Sequence, residues 1–176
     1  MRIIGGLAKG RRLASPKGDG TRPMTDRVRE AIFNILDVSD ADVLDLFAGT
    51  GSIGLEALSR GAATCRFVEM DREMAGILRD NIETVGLGGT VSEVPVERFL
   101  DGTSARYDLV FCDPPYPVSL GDVEAILESI DGCLTPGGWV ILHRPVGEDA
   151  PNAPWDLDDA RTYGGTHLWW YRKEDA

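Results

Sequence analysis

Asp113, Pro114, Pro115 and Tyr116 close an apolar run, "LVFCDPPYP", and so bring a carboxylate, stiffened carbonyls and a flat ring together within four residues. Proline fixes its own φ and drives the residue before it out of the α region, which holds Asp113 and the Pro114 carbonyl extended at small entropic cost. Two fixed acceptors side by side suit a nitrogen bearing two hydrogens: the exocyclic amine of a base, or a side-chain amide. Hydrogen bonds to both favour a pyramidal nitrogen whose lone pair is free to attack an electrophilic carbon. Tyr116 can stack on the ring that carries the amine, a contact worth about 1–3 kcal/mol per base in single-strand binders. With an electrophile already activated, positioning and electrostatics supply the acceleration, and Asp113 need only take up a proton late.

A second constellation precedes it. "DLFAGTGSIG" sets Gly49, Gly51 and Gly54 in G-x-G-x-x-G register between a strand and a helix, with Phe47, Ala48 and Thr50 completing the loop. Glycine lets the backbone turn sharply and approach a ligand closely. Glu69 ends the next strand, twenty residues after Gly49, where a carboxylate accepts hydrogen bonds from both hydroxyls of an adenosine ribose. The loop alone fits a nicotinamide dinucleotide and a methyl donor equally. Asp45, four residues before Gly49, tilts the choice: S-adenosylmethionine carries an ammonium and a sulfonium, whereas a dinucleotide brings phosphates that a carboxylate repels.

Both motifs need a scaffold that puts them at one edge. "PMTDRVREAIFNIL" is expected to form a helix, with Val28, Ala31, Ile32, Ile35 and Leu36 on its apolar face, Arg27, Arg29 and Glu30 opposite, and Thr25 or Asp26 as the cap. From Val43, short apolar runs alternate with helical patterns: "VLDLF", a helix over Ser52 to Ser59, "CRFVE", a helix from Asp71 to Val85 stopped by Gly86, "TVSEV", "YDLVF", a helix near Val123 to Ile130, and "WVILH". "RTY" and "HLWWY" around "GGT" read as a closing hairpin. Strands and helices alternating at this spacing give an α/β, doubly wound fold with a mainly parallel sheet, whose ligands lie at the carboxyl edge of the strands.

The chain has 176 residues, 43% hydrophobic and 27% charged, which fits one globular domain. No apolar run reaches bilayer length and the N-terminus opens on Arg2 and glycines, so a soluble, cytoplasmic protein is expected. Cys65, Cys112 and Cys133 form no C-x-x-C pair, and His143 and His167 stand far apart in sequence; the cysteines read as buried thiols, the histidines as structural, and no metal site is expected. The net charge of −11 is unevenly spread. Residues 1–30 carry eight Lys or Arg against three acids, a balance of +5, and the remainder carries −16. A basic arm on an acidic body points to a local, salt-sensitive contact with phosphate.

Taken together, "RIIGG", "GRRL", "RPMTDRVREAIFNIL", "VLDLFAGTGSIGLEALSRGA", "FVEMDR", "DLVFCDPPY" and the late "YGGT" resemble, nearly end to end, the RsmD-type methyltransferases, which methylate the exocyclic N2 amine of a guanine in 16S ribosomal RNA. The resemblance implies a Rossmann-like class I methyltransferase fold with strand order 3-2-1-4-5-7-6, S-adenosyl-L-methionine as donor, and a base flipped into the crevice. It implies a basic arm over 1–24, a helix over 25–37 and a core over 41–176. It assigns Asp45, Phe47, Ala48, Gly49, Thr50 and Gly51 to the methionine side of the cofactor, Glu69 to the ribose and Met70 to the adenine. Asp113, Pro114 and Tyr116 receive the guanine; Thr25, Asp26, Arg27, Arg11, Arg12 and Pro115 face the RNA. Pro95 stands where such enzymes commonly place a polar residue for the adenine amine, which shifts that task to Val96 or Glu97. The partner implied is ribosomal RNA within a small subunit or an assembly intermediate. The rivals are methylation of another amine (DNA adenine N6 or protein glutamine), a non-catalytic RNA-binding assembly module, and a nicotinamide-dependent oxidoreductase.

Overall fold

A computed structural model describes residues 1–16 and 24–175. Lys17, Asp19 and Arg22 of the basic arm, and the first residues of "RPMTD", lie outside the described residues. The elements run α1 (Asp26–Phe33), β1 (Asp42–Leu46), α2 (Ser52–Ser59), β2 (Thr64–Val68), α3 (Arg72–Val85), β3 (Thr90–Ser92), α4 (Val96–Gly102), β4 (Tyr107–Cys112), α5 (Leu120–Ile130), β5 (Leu134–Pro145), β6 (Asp156–Tyr163) and β7 (Thr166–Arg172). They build one seven-stranded sheet in the order β3-β2-β1-β4-β5-β7-β6. Strands β3, β2, β1, β4 and β5 pair in parallel, and β7 enters antiparallel between β5 and β6. No helix among the described residues is long and apolar enough to cross a membrane.

Strand periodicity divides the core. Leu109 and Phe111 of β4 pack on one face with Ile32, Phe33, Ile53, Leu55 and Leu78 from α1, α2 and α3. Val110 and Cys112 point the other way, onto Val96, Leu100, Val123 and Leu127 of α4 and α5. Helix α3 is fixed at both ends: the Asp71 carboxylate accepts from Met74 N at 2.9 Å, and Gly86, at φ 69°, supplies the left-handed residue that stops it.

Three expectations need correction. Helix α1 ends at Phe33, so Ile35 is exposed instead of joining the apolar face, and Arg29, assigned to the outer face, is fully buried. Its guanidinium donates to the carbonyls of Arg2 (2.9 Å) and Ser52 (3.1 Å) and pairs with Asp26 at 2.6 Å. Helix α4 was not anticipated; Val96 and Leu100, with the partly buried Phe99, anchor it, and Pro95 sits at its start, where proline's fixed φ suits a helix entry. Finally, residues 1–13 of the basic arm are packed onto the body. Ile3 N–Arg11 O and Leu13 N–Met1 O bonds fold them back on themselves, and Ile3, Ala8 and Leu13 are buried.

Helix α2 holds that N-terminal segment. The buried Glu56 carboxylate accepts from Ile4 N and Gly5 N, each at 2.8 Å, while the Ser59 hydroxyl accepts from Ala8 N at 2.9 Å. Gly6, at φ +72°, lies so close that a Cβ there would stand 1.7 Å from Ser59 O. Gly10 has φ +86° with open space around it. Gly6→Ala is therefore expected to lower stability by more than about 2 kcal/mol, combining backbone strain with a backbone clash, whereas Gly10→Ala costs only the strain of about 1–2 kcal/mol. Urea unfolding of the two variants, followed by circular dichroism, reads the difference.

Candidate active site

The loop after β1 opens on strain. Phe47 adopts φ 58°, a left-handed conformation that costs a non-glycine residue about 1–2 kcal/mol, and Gly49 (54°) and Gly51 (83°) follow. The glycines then divide their work. A Cβ on Gly51 would come within 2.3 Å of Leu78, and one on Gly54 within 2.4 Å of the Phe67 ring and 2.7 Å of Cys65 Sγ, so these two allow α2 and α3 to close onto the sheet. A Cβ on Gly49 would meet nothing within 4 Å. That is the side from which a ligand can approach the backbone.

Two carboxylates frame this space. Glu69 Oε2 accepts from Gly49 N and Oε1 from Asp71 N, each at 2.8 Å, which locks the side chain between the glycine loop and the first turn of α3. Asp45, fully buried, accepts from Gly54 N at 3.1 Å. Burial pushes its carboxyl up to about 8; the Gly54 bond opposes that shift, and the charges of Asp113 and Glu69 add to it. At pH 7 burial therefore favours the protonated form of Asp45 in the free protein. Met70, two-thirds exposed beside Glu69, offers an apolar face.

Strand β4 delivers the other half. Its last residue, Cys112, is in register with Leu46 of β1, and Asp113 N reaches Leu46 O at 3.5 Å, so the glycine loop and the DPPY turn leave the same edge of neighbouring strands. Pro114 is buried, Pro115 exposed and the Tyr116 ring half exposed. Two residues of β5 that sequence reasoning missed hold this turn. His143 Nδ1 lies 2.7 Å from Asp113 Oδ1. Arg144, buried, donates to the carbonyls of Pro115 (3.2 Å) and Val118 (2.9 Å) and makes a two-pronged pair with Glu148 at 2.8 and 2.7 Å. The available signal was a polar "HR" pair ending a buried strand, at the edge where the turn must lie.

Other residues proposed from the sequence fall into separate places. Thr25 caps α1, its hydroxyl accepting from Val28 N at 3.3 Å; Asp26 is paired to Arg29; Arg27 is exposed. Because Arg29 also bonds Ser52 O, the first turn of α1 is drawn toward the glycine loop. Thr50 O accepts from Asn81 at 2.9 Å. Val96 is buried at the start of α4, with Glu97 exposed beside it. Arg12 is exposed. Arg11 departs from expectation: its guanidinium donates to Thr84 O and to Val85 O (3.0 Å), capping the carboxyl end of α3. The crevice lies at the amino end of that 14-residue helix, about 20 Å away. Among the described residues no group of three or more His, Cys, Asp or Glu is placed to hold a metal ion.

Open space over Gly49, a locked ribose-type acceptor and a cluster of carboxylates fit S-adenosyl-L-methionine, whose ammonium and sulfonium are both cationic. A sheet of this order with a glycine loop after β1, an acid after β2 and DPPY after β4 defines a class I methyltransferase. Within that class, the family model described as conserved hypothetical protein 95 matches residues 1–172, and the chain belongs to this family, the RsmD-type methyltransferases. It is 37% identical over 179 residues to ribosomal RNA small subunit methyltransferase D of Escherichia coli K12, covering 99% of this chain and 90% of the relative. The Haemophilus influenzae protein of the same name is 36% identical over 149 residues, covering 81% and 77%. A solved Thermus thermophilus protein is 33% identical, with a TM-score of 0.86 over 100% of this chain and 99% of its own.

The Asp45 acid sets a pH dependence of stability. Its folded-state pKa, about 8, lies above its ordinary value of 3.8, so the stability it contributes as a neutral group is complete below pH 4 and lost as pH rises toward 8. The unfolding midpoint of the ligand-free wild type is expected to fall over that range relative to Asp45→Asn. Paired thermal melts at successive pH values measure it.

Proposed function

We propose that the protein transfers a methyl group from S-adenosyl-L-methionine to the exocyclic N2 amine of a guanine in the 16S RNA of a small ribosomal subunit or its assembly intermediate. One observation carries this reading: the Asp113 N–Leu46 O contact, which sets the amine-accepting turn beside the cofactor loop at a single sheet edge. The names of the Escherichia coli and Haemophilus influenzae relatives supply the small-subunit RNA.

The cofactor supplies a methyl group made electrophilic by its sulfonium. Around it, Glu69 holds the ribose, Met70 covers the adenine, and Phe47, Ala48, Gly49, Thr50 and Gly51 line the methionine side. Val96 and Glu97, at the head of α4, face the adenine edge. A free oxygen of Asp113 and the Pro114 carbonyl accept the two hydrogens of the guanine amine, and Tyr116 stacks on the flipped base. As the amine nitrogen forms its bond to carbon, the C–S bond breaks and its electron pair stays on sulfur. The nitrogen then releases one proton to Asp113, whose side chain is one-third exposed and passes it to water. The crevice mouth offers Thr25, Asp26, Arg27 and Pro115 to RNA, and the exposed Arg12 gives a phosphate contact outside it. An enzyme with this substrate works in the cytoplasm.

Wild-type protein incubated with labelled cofactor and small subunits lacking the modification is expected to yield N2-methylguanine. Asp113→Ala is expected to slow transfer by about 100-fold or more while cofactor affinity is kept. Methylation of adenine or glutamine in place of guanine, or no transfer with the cofactor bound, would overturn the substrate. Cofactor binding should also release a proton at pH 7, because an ammonium beside Asp45 favours its ionised form. Calorimetry in buffers of different ionisation enthalpy counts that proton, and Asp45→Asn is expected to abolish its release.

A further inference from the structure

His143 lies in the last buried stretch of β5 and reaches one partner just after β4 and another on β7. Its Nδ1 stands 2.7 Å from Asp113 Oδ1, and its Nε2 stands 2.5 Å from the hydroxyl of Thr166, the first residue of β7. That hydroxyl also lies 3.1 Å from the carbonyl of Arg144. We propose that His143 is a positioning residue for methyl transfer: a neutral imidazole with its hydrogen on Nδ1, it holds one oxygen of Asp113 so that the other faces the incoming amine, while Thr166 selects that tautomer. The inference rests on the methyl-transfer reading above.

Hydrogen-bond chemistry supports the assignment. An ionised carboxylate only accepts, so the ring nitrogen facing Asp113 must carry a hydrogen. With the ring neutral, Nε2 is a bare acceptor, and the single hydrogen of the Thr166 hydroxyl turns to it at 2.5 Å in preference to the Arg144 carbonyl at 3.1 Å. Each of the three groups thereby gains a partner in a place where His143 and Thr166 are both more than nine-tenths buried. The same geometry keeps the ring off the proton's path. Its site toward Asp113 is already filled and its far nitrogen is closed by Thr166, so the proton lost by the amine leaves through the outer oxygen of Asp113. His143 thus acts through orientation, the factor to which near-attack geometry is most sensitive.

The side chain two residues back on the same strand face, Ile141, belongs to the apolar core, so His143→Leu fills the position without supplying the donor. His143→Asn returns an amide N–H one bond from Cγ, where Nδ1 stood. The Leu variant is expected to lower kcat by about 10–100-fold with KM for small subunits and cofactor Kd by calorimetry within about twofold, and the Asn variant to recover most of the loss. In the wild type at pH 8, long-range ¹H–¹⁵N correlation spectra of His143 should show a protonated Nδ1 and a bare Nε2. A Leu variant with wild-type kcat, or a ring carrying its hydrogen on Nε2, would overturn the inference. Absence of any transfer by the wild type would instead defeat the functional reading, and the spectrum would still decide the tautomer.

Discussion

Neighbouring parallel strands end at the same edge of a sheet, and the register of β1 with β4 turns that rule into a site. Leu46 faces Cys112 across the ladder, so the glycine loop and the DPPY turn start side by side. On the other flank of β1, β2 brings Glu69 to the same edge, where Gly49 N and Asp71 N fix it. The consequence is electrostatic. Asp45, Glu69 and Asp113 accumulate with no Lys or Arg among them in the described contacts, and Asp45, the most buried, is pushed toward its protonated form by burial first and by the other two charges after it. Such an edge carries a standing cost that a cationic ligand relieves, which makes it selective against the phosphates that a similar loop accepts in dinucleotide enzymes.

The N-terminal segment serves the fold before it serves RNA. Glu56 and Ser59 fasten residues 4–8 to α2, and Arg11 caps α3. Arg29 joins Arg2 O, Ser52 O and Asp26 in one buried knot beside the glycine loop. Two of the segment's cations are thus consumed internally, and Arg2, Lys9, Arg12 and Arg27 are those left exposed among the described residues. On a chain of net charge −11, so small a positive set supports attachment at a few phosphates, with target shape supplying the rest.

What the sequence made legible were features written in local chemistry. Helix α3 announces both its ends, through Asp71 and Gly86, and the three loop glycines and the alternation of strands with helices yield the sheet order once the family resemblance is added. What escaped depended on partners distant along the chain. Arg29 reads as an outer-face residue until Arg2 and Ser52 bring it carbonyls; α4 is seven residues long, too short for Val96, Phe99 and Leu100 to establish a period; Arg11 looks like a phosphate ligand until α3 ends beneath it. His143 looks structural for the same reason. Its role exists only because β5 lies next to β4, a pairing between residues 30 apart.

That pairing also explains how a turn of four residues is held rigid. The prolines restrict Asp113 and Pro114 from within, through φ, but they leave the orientation of the Asp113 carboxylate and of the downstream carbonyls free. Consecutive residues of a strand point to opposite faces, so His143 reaches the carboxylate from one side of the sheet while Arg144 reaches Pro115 O and Val118 O from the other. A buried guanidinium is costly unless its donors are filled, and Glu148 completes the set that the two carbonyls begin. The two faces of β5 therefore divide the turn between them, side chain on one and main chain on the other. A shift of β5 relative to β4 would disturb both grips at once, which ties the precision of the turn to the register of the sheet.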